Sequence, residues 1–331
     1  MKVAFFEAPE EEHGLFRSLL PGFDSIFFEE DFSEKKAYLA TDVDILSVFI
    51  NSKVNKEAID QMPNLKLIVT RSMGFDHIDR AHCKSKGITI SYVPRYGPRT
   101  IAEFSFALLL SLSRKIFDGV RQVKEGGEFS ANGFKGFDLN EKTLGVVGVG
   151  NIGKNVIKIA KGFNMKVIAC SHSIDEALAK ELDFKYVDID NLLVNSDIIS
   201  IHVQLRDENN HMINKEKIAK MKKGVYIINT ARGGVIDTEA LVWGIKEGIV
   251  GGAGLDVLED EYVLRANKSE TLSVEKKKIY DLNQELINMK NVIITPHIGA
   301  QSKEAREEMA RITVENILSF VSGSPQNLVT T

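Results

Sequence analysis

The stretch TLGVVGVGNIGKNVIKIAKG, Thr143 to Gly162, narrows the possible architectures more than any other part of the chain. An apolar, β-branched run ends in Gly148, Gly150 and Gly153, and the residues after it have the spacing of an amphipathic helix. Strand, glycine turn and helix in that order start a parallel α/β sheet. Gly148 permits the tight turn, Gly150 lets a pyrophosphate approach the backbone, and Gly153 lets the helix pack closely. The N–H groups of Asn151 and Ile152 then face phosphate oxygens, aided by the helix dipole. A dinucleotide site is the functional reading; a purely structural strand–turn–helix is the plain one.

The same rhythm runs along most of the chain. KVAFF, SIFFE, DILSVFI, LKLIVT and ITISYV read as short buried strands between helical segments. A second series follows from Thr143: TLGVVGV, KVIAC, KYV, DIISIHV, VYIINTA, GAGLDV and NVIITPH. Between the two series, TIAEFSFALLLSLSRKIFDGVRQV reads as one long apolar helix, buried between layers or domains, so a domain crossing is placed there. KEAREEMARITVENILSFVSG is a long amphipathic helix that returns to the first series. The expected fold is α/β with two doubly wound parallel-sheet domains. One is a Rossmann dinucleotide-binding domain over residues 99–298. The other is a discontinuous, flavodoxin-like substrate domain over 1–98 and 299–331.

Composition removes several function classes. The 331 residues carry a formal net charge of −4 with no basic stripe, which speaks against a nucleic-acid or lipid-surface partner. Cys83 and Cys170 have no metal-ligand spacing and make no disulfide framework. FALLLSL is too short to span a bilayer, and MKVAFFEAPE reads as a first strand and not a secretory signal, so a cytoplasmic protein is expected. His77 and His82 do not share a helix face, and no metal site is expected.

Ligands in such folds lie beyond the carboxyl ends of the strands. Three of those ends carry chemistry: IINTARGG presents Arg232, GAGLDVLEDE presents Asp256 and Glu261, and VIITPHIGA presents His297. With these motifs in view, the chain resembles the D-isomer-specific 2-hydroxyacid dehydrogenase family from about residue 44 onward. RSMGFDHID, VPRYGPRTIAE, GFDLNEKTLGVVGVGNIG and NTARGGVIDTEAL are similar to family blocks in order and spacing. The look is closest to D-lactate dehydrogenases, although HIGAQS is more like the glyoxylate, hydroxypyruvate and phosphoglycerate branches.

The resemblance implies an NAD-dependent oxidoreductase of small 2-keto and 2-hydroxy acids, pyruvate-like, assembled as a homodimer through FALLLSLSRKIF and its neighbours. His297 is implied as proton donor, Glu261 as its hydrogen-bonding partner and Arg232 as the clamp for the substrate carboxylate. Backbone N–H groups at Met73 and Gly74 are implied to assist that clamp, with Tyr96 closing the pocket. Val203, Gln204, Asn209, Thr230, Ala231 and Asp256 are implied to line the cofactor together with Arg232 and His297. Glyoxylate or hydroxypyruvate reduction is the enzymatic alternative, with phosphoglycerate oxidation behind it because of Arg95 and Arg99. A dinucleotide-sensing scaffold is the non-enzymatic alternative.

Asn151, Gln204 and Phe104 depart from the residues frequent in the family. Ser171 departs with more consequence, because an acidic residue usually grips the adenosine ribose at that place. Serine forfeits that charge-assisted bond and also removes the repulsion that excludes a 2′-phosphate. NAD remains the expected cofactor, with NADP possible and His172 placed to assist its phosphate. Asp175 and Glu176 would oppose it.

Overall fold

A computed structural model describes residues 1–266 and 272–329. The chain divides into two compact units, Met1–Gly97 with Gln301–Thr331, and Pro98–Ala300. Each is a parallel sheet with helices between successive strands.

In the first unit the strands are β1 (Lys2–Phe5), β2 (Asp24–Phe27), β3 (Ile45–Val48), β4 (Leu67–Thr70) and β5 (Thr89–Tyr92). Their order is β2-β1-β3-β4-β5, and all pairs are parallel, which is the flavodoxin-like arrangement. β3 and β4 are buried along their whole length, as continuous apolar runs in a doubly covered sheet must be. The final helix, Lys303–Val321, packs on β4 and places Ala310, Val314 and Ile317 in one core with Val3, Phe5 and Val69.

Arg71, just past β4, is buried within this unit. Its guanidinium donates to Phe6 O (2.5 Å), Glu7 O (2.8 Å) and Ser47 Oγ (2.9 Å). Burial pulls its pKa down to about 10, still well above neutrality, so the group stays cationic. The Glu7 carboxylate in turn accepts from the backbone N–H groups of Phe49, Asn51 and Ser52. Two charged side chains thereby tie the carboxyl ends of β1, β3 and β4 to one another.

Among the described residues the second unit has seven strands: β6 (Thr143–Val147), β7 (Lys166–Cys170), β8 (Lys185–Tyr186), β9 (Ile198–Ile201), β10 (Val225–Asn229), β11 (Val250–Leu255) and β12 (Val292–Ile294). Their order is β12-β11-β10-β9-β6-β7-β8. The chain runs outward from β6 to β8, then returns to the other side of β6 at β9. That reversal is the topological switch point of a Rossmann sheet, the place where this architecture binds nucleotides. Among the described residues, no helix is long and apolar enough to cross a membrane.

Two expectations are corrected here. The long apolar helix is two helices, Pro98–Ser113 and Ile116–Lys124, separated at Lys115, whose φ of 55° is left-handed and ends the first helix. No glycine or proline marks that break. FALLLSL is core, as its apolar run implies, and not the dimer interface the resemblance also suggested for it: Phe106, Leu108, Leu109 and Leu112 lie in the second unit's own core. Each such side chain stabilises the fold by about 1.5–3 kcal/mol when buried, more than an exposed position could return to the monomer. The large apolar residues of this stretch that are exposed lie on the next helix, at Ile116, Phe117, Val120 and Val123. The helix Val274–Asn288 was not expected from sequence. Its first turns, VEKKK, are charged and open to solvent, and only Asn283 and Leu286 are fully buried.

Candidate active site

The glycine turn is built as its sequence demands. Gly148 has φ +96°, and a Cβ there would stand 2.7 Å from His202 O and 2.8 Å from Val203 Cγ1. A Cβ on Gly153 would stand 2.1 Å from Gly148 O, so only glycine lets helix Asn151–Gly162 sit this close to the turn. Gly150 differs: a Cβ there would meet nothing within 4 Å. Gly150 is also the helix N-cap and offers no side-chain acceptor to the first N–H groups. Uncapped donors on an exposed helix start, with open space above the middle glycine, fit a pyrophosphate. Asn151 is exposed and Ile152 half-buried at that start.

The flanking strand ends complete this region. Ser171 lies one residue past β7, and its Oγ accepts a long 3.4 Å bond from Val149 N. His172 is exposed, and Asp175 spends one carboxylate oxygen capping Leu178 N at the start of helix Glu176–Glu181. On the other side of the switch point, Val203 and Gln204 follow β9. Asn209 does not reach outward: its Oδ1 accepts from Arg206 N (2.7 Å) and its Nδ2 donates to Gln204 O (2.7 Å), shaping the loop between them. His202, which sequence reading passed over, lies under the glycine turn. Its Nε2 is 2.7 Å from Ser200 Oγ, and burial pushes its pKa down to about 3, so the ring is neutral.

The reactive side chains come from three neighbouring strands in register. Asn229, the last residue of β10, pairs with Leu255 of β11, and Leu255 pairs with Ile294 of β12. Arg232, Asp256 with Glu261, and His297 therefore leave adjacent strand ends about 4.8 Å apart. Asn229 closes the Arg232 turn: its Oδ1 accepts from Ala231 N (3.0 Å) and its Nδ2 donates to Arg232 O (3.0 Å). Thr230 Oγ1 shares a 2.9 Å bond with Ser105 Oγ of helix Pro98–Ser113, which pins the start of the same turn.

His297 and Glu261 meet directly, with His297 Nδ1 donating to Glu261 Oε1 at 2.7 Å. Their side chains retain 22% and 27% exposure, enough for a small reactant to reach the imidazole. Since Glu261 occupies Nδ1, Nε2 is the nitrogen left to exchange a proton with a reactant. His297 has φ 58°, a strained conformation for a residue with a Cβ. Asp256 holds it there. Its Oδ1 accepts from Thr295 Oγ1 (2.5 Å) and Ile298 N (2.9 Å), and its Oδ2 accepts from Gly299 N (2.7 Å). Burial pushes the Asp256 carboxyl above its ordinary pKa, opposed by these donors and by His297. Sequence reading gave Asp256 to the cofactor and had no means to see this grip on the histidine turn.

The remaining predicted residues belong to the first unit. Met73 and Gly74 follow β4, in a turn tightened by Ser72 Oγ, which lies 2.6 Å from Thr70 Oγ1 and donates to Gly74 O at 2.5 Å. Tyr96 is buried in the loop after β5. Arg95 is exposed there; Arg99, in the second unit, is paired with Glu103 at 2.8 Å.

Comparison with known proteins bears on this geometry. A sequence profile described as D-isomer specific 2-hydroxyacid dehydrogenase, NAD binding domain, matches residues 106–299. A glyoxylate reductase of Thermococcus litoralis is 39% identical over 295 residues, covering 87% of this chain and 84% of that protein. An aromatic 2-oxoacid reductase of Clostridium sporogenes is 38% identical over 322 residues, covering 96% and 93%. The solved D-lactate dehydrogenase of Aquifex aeolicus, in complex with NAD and lactic acid, superimposes with a TM-score of 0.84 at 38% identity, covering 97% of this chain and 96% of that one.

Proposed function

Because the chain belongs to the D-isomer-specific 2-hydroxyacid dehydrogenase family and is an NAD-dependent oxidoreductase of 2-hydroxy acids, we propose that it reduces a small, pyruvate-like 2-keto acid to the D-hydroxy acid. The observation that carries this reading is the 2.7 Å His297–Glu261 pair beside the Arg232 turn at the carboxyl edge of the Rossmann sheet. A dinucleotide held here would supply hydride from nicotinamide C4. Gly148, Gly150, Asn151, Ile152 and Gly153 hold its pyrophosphate, and Val203, Gln204, Thr230 and Ala231 line it. Asn209 serves it indirectly, by shaping the loop after Gln204.

His297 Nε2 delivers a proton to the keto oxygen, and Glu261 holds the ring through Nδ1 so that Nε2 is the nitrogen offered to the reactant. Arg232 binds the substrate carboxylate through its planar fork. Asp256 keeps His297 at its left-handed φ from the end of β11. Pyruvate is favoured by the likeness to D-lactate dehydrogenase over nearly the whole chain. Glyoxylate is the second reading, favoured by the Thermococcus litoralis relative.

One set of rates tests both substrate and cofactor. kcat/KM is expected to be highest for pyruvate among pyruvate, phenylpyruvate, glyoxylate and hydroxypyruvate. Equal efficiency on all four removes the pyruvate assignment. NADH and NADPH both serve the wild type in this reading, because Ser171 brings no charge against a 2′-phosphate. Ser171→Asp shifts the preference to NADH by about 1–2 kcal/mol, roughly five- to thirtyfold, through a gained ribose bond and a new repulsion. An unchanged ratio places ribose recognition elsewhere.

The same reading includes a homodimer. Ile116, Phe117, Val120 and Val123 share one face of an exposed helix, which suits a second copy of the chain. Light scattering is expected to give twice the chain mass for the wild type and a monomer for Phe117→Asp combined with Val120→Asp. A monomeric wild type contradicts it.

A further inference from the structure

Glu259 lies two residues before Glu261 and has no part in the chemistry described above. Its carboxylate is nonetheless tightly engaged, with the side chain 17% exposed. Oε1 accepts from His211 Nε2 at 2.7 Å. Oε2 accepts from Thr238 Oγ1 at 2.7 Å and, more weakly, from Thr238 N at 3.4 Å. Thr238 opens helix Thr238–Lys246, directly after the turn that carries Arg232. His211 holds the same turn from the other side: at a left-handed φ of 52°, its own N–H donates to Gly234 O at 2.8 Å.

The backbone of Glu259 is part of the same contact. A Cβ on Gly233 would fall 2.0 Å from Leu258 C and 2.2 Å from Glu259 N. The turn after Arg232 therefore lies flat against the Leu258–Glu259 peptide. On the opposite flank, Leu258 N donates to Glu261 Oε2 at 3.3 Å, and Asn283 Nδ2 donates to Glu259 O at 2.8 Å. One dipeptide thus touches the Arg232 turn on one side and orients the histidine's carboxylate partner on the other.

We propose that Glu259 is a positioning residue: through His211 and Thr238 it locks the Arg232 turn onto the loop that carries Glu261, and so sets the carboxylate clamp relative to the proton donor. This rests on Arg232 being the clamp. A displacement of about 1 Å at such a group is enough to lower the rate substantially. Glu259 and its partners touch neither the glycine turn nor the β7 end, so the pyrophosphate cradle is left in place even though Ala231 and the loop after Gln204 adjoin the locked turn.

The test has two arms. In Glu259→Ala, amide hydrogen exchange over residues 231–236 is expected to accelerate roughly tenfold while β10 and the helix Asn151–Gly162 stay protected. In the same variant, KM for the keto acid rises roughly tenfold or more, kcat falls less, and NADH affinity is retained. Glu259→Gln, which can still accept from Thr238, restores most of the KM. Thr238→Val removes a single bond and is expected to show the same split in weaker form, so the proposal stays testable even where Glu259→Ala folds poorly. Unchanged exchange at 231–236 overturns the proposal, as does equal weakening of NADH and keto-acid binding. If the wild type turns over no keto acid, the clamp reading of Arg232 fails instead, and the exchange arm still reports whether Glu259 locks the turn.

Discussion

Replacing His297 by alanine is expected to lower kcat for keto-acid reduction by about two to four orders of magnitude, the usual contribution of a positioned general acid. NADH affinity should change little. The cofactor's pyrophosphate cradle is built from the turn after β6, whereas His297 follows β12, at the far edge of the same sheet. The loss belongs to kcat because proton delivery is needed in the transition state and not for ground-state binding. Glu261→Gln makes the complementary case. It keeps a hydrogen-bond acceptor at 2.7 Å from Nδ1 but removes the carboxylate charge beside the ring. kcat is then expected to fall while NADH affinity is retained. Near-normal turnover in His297→Ala removes the proton-donor role.

Arg232→Ala is expected to act on a different parameter. The guanidinium makes two charge-assisted bonds to a carboxylate in the proposed role, and losing both costs about 3–5 kcal/mol, roughly two to three and a half orders of magnitude in kcat/KM. Much of this appears as a raised KM, because the carboxylate is bound in ground state and transition state alike. Arg232→Lys should fall between, since it restores the charge without the planar fork. An unchanged KM in Arg232→Ala assigns the carboxylate to another group. Together the two variants separate kcat from KM, which a general loss of folding does not do.

Much of the fold was open to reading from the chain, because parallel strands buried on both faces must be continuous apolar runs. KVIAC coincides with β7 residue for residue, and every other strand lies within or overlaps its apolar run. The helix break at Lys115 was hidden because a lysine in the left-handed region leaves no mark in composition. The helix Val274–Asn288 was hidden because so little of its surface is buried. In the site, residue types and strand ends could be read, but not the grips between them. His297 and Glu261 are 36 residues apart, and Glu259 and His211 are 48 apart. Nothing local signals that Asp256 spends both oxygens on the histidine turn, or that the half-buried His202 is neutral beside the glycine turn. Such pairings are set by strand order, and they become visible only once β10, β11 and β12 lie side by side.

The most direct measurement of the central claim follows NADH oxidation with pyruvate and resolves the enantiomer of the product. Stoichiometric NADH consumption yielding D-lactate, slowed by about two to four orders of magnitude in His297→Ala, is the predicted result. NADH binding without turnover of pyruvate or any other 2-keto acid, or formation of the L enantiomer, contradicts the account.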